Sequence, residues 1–147
     1  MSVHLLEPPS DGGGPTLDLP RLRRRARGLL RHVGRGRSEL SVALVDDEAM
    51  RELNQRYRGK ARPTDVLSFS LQEGPHAEHA GDLLGDVVID VQEAARQARR
   101  AHRGVDDVVA RLLIHGVLHL LGHDHERDDE ARVMQMEERR LWRLLRG

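Results

Sequence analysis

The chain has 147 residues, a length that suits one domain with a real core, and its 24 basic and 24 acidic side chains balance. It has no cysteine, which excludes disulfides, thiolate metal ligands and a cysteine nucleophile and fits a reducing cytosol. No apolar run approaches the roughly eighteen residues of a membrane span, and the N-terminus lacks the basic start and apolar stretch of a signal peptide, so the expectation is a soluble cytoplasmic protein with no membrane partner.

Taken in chain order, Ser2 to Leu6 reads as a strand. Pro8 to Pro15, with Gly12, Gly13 and Gly14, reads as a loop. Asp18 can cap a helix that has Pro20 in its first turn. Leu19, Leu22, Ala26, Leu29, Leu30 and Val33 then recur at helical spacing until Gly34 and Gly36 end the helix. Between Arg21 and Arg37 stand eight arginines and no acid, either a solvated helix face or a polyanion-binding one. Glu39 to Val45 reads as a strand. Asp46 and Asp47 can cap the next helix, Glu48 suits its N-terminal dipole, and Met50, Leu53 and Tyr57 mark its buried side. A basic loop follows from Tyr57 to Asp65, holding Arg58, Lys60 and Arg62.

Val66 to Leu71 alternates as a strand, with Val66 and Ser68 on one face and Leu67 and Phe69 on the other. Gln72 to Asp82 is polar, and its His76 and His79 read as part of a solvated loop rather than a second metal site. Leu83 to Val91 is the clearest strand, and Gln92 to His102 a helix broken by Gly104. Asp106 and Asp107 can start a helix that carries Val108, Val109, Leu112, Leu113, Val117, Leu118 and Leu121 and is apolar on most of its circumference, which makes it central. Asp128 caps a last helix to Leu145. The order predicts an α+β fold, a single mixed sheet of about four strands covered by about five helices; spacing does not fix the strand order. Trp142, Tyr57 and Phe69 are the only aromatics, so the core is aliphatic.

The central helix ends in a concentration of histidine. Four of the nine histidines fall between His115 and His125, inside an apolar run. His115 and His119, four residues apart, share one helical face. Gly122 can adopt a left-handed conformation and end the helix. His125 can then swing back, placing three imidazoles around a point with a fourth position open, as in catalytic metal sites. The pattern H-x-x-x-H-x-x-G-x-x-H is the ligand spacing of metzincin peptidases, but the position of their glutamate base holds Gly116, which cannot accept a proton. A metal hydrolase of another substrate class is the expectation. His123 lies between the ligands. Asp124 is open to three readings: orienting a ligand imidazole, serving as a base, or simply shaping the turn.

The stretch from His115 to His125, reading HGVLHLLGHDH, resembles the signature of the YbeY family of bacterial metal-dependent endoribonucleases of ribosomal RNA maturation. Tyr57-Arg58-Gly59-Lys60 with Pro63-Thr64-Asp65-Val66-Leu67-Ser68-Phe69 resembles the family's other motif, and Gly85-Asp86-Val87-Val88-Ile89 is a weaker third match. The resemblance implies one divalent ion, zinc by preference, on His115, His119 and His125, with Arg58 as a catalytic residue. It also implies processing of the 3′ end of small-subunit ribosomal RNA and ribosome quality control. The partners implied are RNA and the ribosome or its proteins, with no DNA. The sequence departs from the family at His123, where tyrosine is usual, and at Ser70, where proline is frequent.

The chemistry follows independently. A three-histidine metal lowers the pKa of bound water toward neutrality, so hydroxide is available to attack phosphorus. Imidazoles also suit nickel, copper or iron. Arg58, Lys60 and Arg62 can offset the charge developing on a phosphodiester, and the arginine segment can bind flanking backbone. With so few aromatics to stack on bases, recognition should rest on backbone charge or a partner. The rivals are a zinc peptidase with an atypical base and a non-catalytic ribosome-assembly factor with a structural metal.

Overall fold

The computed structural model describes residues 2–6, 14–58, 64–70, 83–124 and 126–146. Its elements are β1 (Ser2–Leu6), α1 (Leu19–His32), β2 (Glu39–Val45), α2 (Asp47–Arg58), β3 (Val66–Ser70), β4 (Leu83–Asp90), α3 (Val91–Ala101), α4 (Val105–Leu120) and α5 (Asp128–Leu145). The four strands form one mixed sheet in the order β1-β2-β4-β3, in which β1, β2 and β4 run parallel and β3 is antiparallel to β4. The expected mixed sheet with five helices is the observed one. No helix among the described residues is long and apolar enough to cross a membrane.

Alternation along the strands divides the interior. Leu40, Val42 and Leu44 of β2 and Val87 and Ile89 of β4 enter the large core with the apolar stripes of α1, α3, α4 and α5. Val88 and Leu67 turn to the other face and pack with Met50 of α2, with Leu53 and Phe69 against them. The central role of α4 holds: ten of its sixteen residues are buried.

Several local expectations shift. Tyr57 is 58% exposed rather than buried; it lies in the last turn of α2, outside the small core, with Phe69 of the edge strand β3 edge-on at 5.2 Å between centroids. Tyr57 and Arg58 close α2 instead of opening the loop. Strand β4 stops at Asp90, not Val91, because the Asp90 carboxylate accepts hydrogen bonds from the Gln92 and Glu93 amides and so starts α3. That helix ends on His102, which is left-handed at φ 54°, while Gly104 starts α4. Asp106 and Asp107 lie in the first turn of α4 without capping it; Asp106 Oδ1 accepts from the Asp18 amide at 2.9 Å and Asp107 pairs with Arg25. Asp128 is the first residue of α5 rather than its cap. Asp18 and Asp46 do cap α1 and α2, accepting from Arg21 and Ala49. Leu71 and the loop with His76 and His79 lie outside the described residues, as do Lys60 and Arg62.

The arginine segment divides by role. Arg25 is 4% exposed; it donates to Asp107 Oδ1 at 3.0 Å and lies over the Trp142 ring. Arg23 donates to the Val3 carbonyl. Arg24, Arg27, Arg31, Arg35 and Arg37 are exposed. Beside the β4–α3 junction Arg96 donates to Asp47 through Nη1 and Nη2. That ion pair holds the Asp47 carboxyl down at about 2. Its neighbour Asp90 is fully buried, and desolvation together with the hydrogen bond to Asp47 pushes its carboxyl up to about 7.

Candidate metal centre

Helix α4 delivers His115 and His119 one turn apart. Their Nε2 atoms stand 3.1 Å from each other, with the rings at 73° and 4.7 Å between centroids. On the opposite side of the His115 ring, Nδ1 is 3.2 Å from Glu138 Oε1 of α5. A carboxylate only accepts, so in the neutral ring Nδ1 carries the proton and Nε2 presents its lone pair toward His119. Two zinc–nitrogen bonds of about 2.0–2.1 Å at a tetrahedral angle place their nitrogens about 3.3 Å apart. The observed pair fits that geometry. The donor set, imidazole backed by carboxylate, also suits a divalent transition metal.

The end of α4 is built locally. The Gly122 amide donates to the His119 carbonyl and the His123 amide to that of Leu118, both at 3.0 Å, with Gly122 at φ +94°. These are the paired bonds of a Schellman turn, which needs the positive φ that glycine adopts freely. The expected turn after His119 is therefore present, and the chain reverses before α5.

Gly116 has a reason beyond not being glutamate. A Cβ there would lie 2.7 Å from Val87 Cγ1 and 3.2 Å from Ser68 Oγ. The Ser68 hydroxyl donates to the Gly116 carbonyl at 2.8 Å. At position 116 α4 packs directly against β3 and β4, so the site where a peptidase carries its base is here occupied by the sheet.

Of the four expected site residues, His115 and His119 are brought together. His125 lies outside the described residues, and so does the side chain of Arg58, whose backbone ends α2. Among the described residues no group of three metal-ligating side chains converges. Asp124 is half-buried, and Glu138 is a contact of the His115 ring that spacing near the histidines does not suggest. The signal for it was the apolar stripe of α5: Met134, Leu141 and Leu145 are buried, and Glu138 interrupts them at helical spacing.

A family model described as Endoribonuclease YbeY matches residues 19–146. A protein of Syntrophus aciditrophicus called Endoribonuclease YbeY is 46% identical over 133 residues, covering 89% of this chain and 83% of that protein. One of the same name from an Anaeromyxobacter species is 50% identical over 123 residues, covering 84% of this chain and 62% of the longer relative. Among solved structures, the solution structure of TM1509 from Thermotoga maritima superposes with a TM-score of 0.65 at 26% identity, over 97% of this chain and 88% of that one. The match runs through the sheet, the histidine helix and α5 alike, and the chain belongs to the YbeY family.

Proposed function

We propose that residues 1–147 form one metal-dependent endoribonuclease domain, a cytoplasmic hydrolase that acts in maturation of the small-subunit ribosomal RNA 3′ end and in ribosome quality control. The observation that carries this reading is the pair of converging Nε2 atoms, one ring backed by Glu138, in a chain whose relatives are called endoribonucleases. His115, His119 and His125 would hold one divalent ion, for which zinc suits the donors. Bound there, the ion supplies Lewis acidity that brings the pKa of water toward neutrality.

The chain's own residues do the rest. Glu138 accepts a hydrogen bond from His115 Nδ1–H and so fixes the tautomer that presents the Nε2 lone pair toward the metal position. Arg58 would grip the phosphate through two N–H groups and offset the charge that develops on its oxygens. Gly116, pressed against Val87 and Ser68, leaves no room for a glutamate base, which argues against peptide hydrolysis.

The test is cleavage of single-stranded RNA by wild type, His119→Ala and Arg58→Ala, with metal content measured on each. Loss of a ligand should lower cleavage by at least ~100-fold together with bound metal. Arg58→Ala should lower it by ~100-fold with metal retained. Equal cleavage by wild type and His119→Ala refutes the metal reading. Metal-dependent proteolysis would favour a peptidase. Absence of cleavage in every metal, with His115→Ala only lowering thermal stability, would favour an assembly factor.

A further inference from the structure

Helices α4 and α5 leave a cleft of about 390 Å³ between them. Arg111 of α4 and Arg139 and Arg143 of α5 line it, together with Gln135 and Trp142. The α5 residues sit there because positions 135, 139, 142 and 143 share one helical face. Glu138 belongs to the same lining and reaches His115 Nδ1, so the cleft abuts the metal centre.

The lining carries three cations and one carboxylate, and that carboxylate is engaged by His115. Neighbouring Arg140 is paired with Glu137, whereas Arg111, Arg139 and Arg143 are exposed and make no ion pair among the described residues. The guanidinium carbon of Arg111 lies over Trp142, 4.8 Å from the ring centroid. Partial desolvation and nearby Arg103 lower the Arg111 pKa, against the opposing fields of Asp107 and Glu138. Arg25 also lies over this ring, at 5.2 Å, so the exposed guanidinium of Arg111, rather than the indole itself, is the surface on which an unpaired base can stack. The volume suits one small ligand, on the scale of a nucleotide, rather than a protein element.

We propose that this cleft is a nucleotide subsite for single-stranded RNA continuing from the metal centre. Arg139 and Arg143 hold backbone phosphates, and the Arg111–Trp142 stack receives an unpaired base. The proposal rests on the endoribonuclease reading and adds where the strand runs. It also qualifies the expectation that, with so few aromatics, recognition rests on backbone charge or a partner.

Trp142 is the only tryptophan, so its fluorescence reports the cleft directly. A short single-stranded RNA of mixed sequence is titrated into the full chain in EDTA, which separates binding from cleavage. Trp142 emission should change to saturation. Arg139→Ala/Arg143→Ala, both at exposed positions, should raise Kd about tenfold and flatten the dependence of log Kd on log salt by about 1.4, the share of two phosphates on a single strand. Arg99→Ala/Arg100→Ala removes the same charge from the last turn of α3 and should leave Kd within about twofold. RNA binding with unchanged Trp142 emission, or equal weakening by both arginine pairs, overturns the subsite while leaving the RNA reading intact. Saturating response to polyglutamate but not to RNA makes the cleft a protein-docking face and also overturns it. A wild type that neither binds nor cleaves RNA removes the endoribonuclease reading itself.

Discussion

Replacing Gly116 with alanine tests whether the contact between α4 and the sheet sets the metal centre. The new methyl would stand 2.7 Å from Val87 Cγ1, while relaxed carbon contacts lie at about 3.5–4.0 Å. The gap must therefore open by about 1 Å. Val87 has little freedom to yield. It is β-branched with a stiff χ1, fully buried, and on β4, which is paired on both sides. Moving the helix instead stretches the bond from Ser68 to the Gly116 carbonyl. Overpacking of this kind costs about 1–3 kcal/mol, and alanine recovers about 1 kcal/mol of helix propensity, so a net loss of ~1 kcal/mol is expected. For a chain of this size that lowers Tm by roughly 2–4 °C. Thermal denaturation of wild type, Gly116→Ala, Val87→Ala and the double variant closes a cycle. The added methyl should partly fill the space that Val87→Ala vacates, so the double variant should be more stable than additivity predicts by ~1 kcal/mol. A strictly additive cycle, or a Gly116→Ala protein more stable than wild type, refutes the close-approach reasoning.

Two further outcomes are expected. Asp90 is raised to about 7 from 3.8, so the folded state holds a proton that the unfolded chain has released, and stability from this group is lost as pH climbs from about 4 to about 7. Asp47, lowered to about 2, acts oppositely: its contribution is present above about 4 and is lost as pH falls toward about 2. Between pH 5 and 8 the Asp90 term amounts to ~2–3 kcal/mol. Asp90→Asn keeps an oxygen for the Gln92 and Glu93 amides and offers an N–H to Asp47, so its Tm should exceed that of wild type at pH 8 and match it near pH 5; an equal difference at both pH values contradicts the raised carboxyl. Glu138→Ala should weaken zinc binding about 10–100-fold in a chelator competition, with Glu138→Gln recovering part of the loss through its carbonyl oxygen. Unchanged affinity in the alanine variant would remove Glu138 from the centre.

What neighbours in the chain decide was legible without coordinates. The face shared by His115 and His119, the turn at Gly122, the caps at Asp18 and Asp46 and the alternation of Leu67 with Ser68 depend on groups within a few positions of one another, and each is as expected. Asp106 and Asp107 lie in the first turn of α4 as expected, but their side chains have distant uses that spacing does not show: Asp106 accepts from the amide of Asp18 and Asp107 from Arg25, 82 positions away. Tyr57 had the right helical phase for burial, but whether anything covers that phase depends on where the sheet ends.

The sequence by itself determined the kind of fold, the family and the two histidines of one helical face, because periodicity, turn chemistry and motif spacing are local properties. Tertiary structure decided the strand order, the partner of His115 and the meaning of Gly116. Glu138 lies 23 positions from His115 on a helix whose own pattern shows only an interrupted stripe. Gly116 is small because Val87 and Ser68 press on it from strands that are distant in the chain. Packing brings such groups together through the summed burial of whole helices and strands, and no short stretch of residues records the outcome.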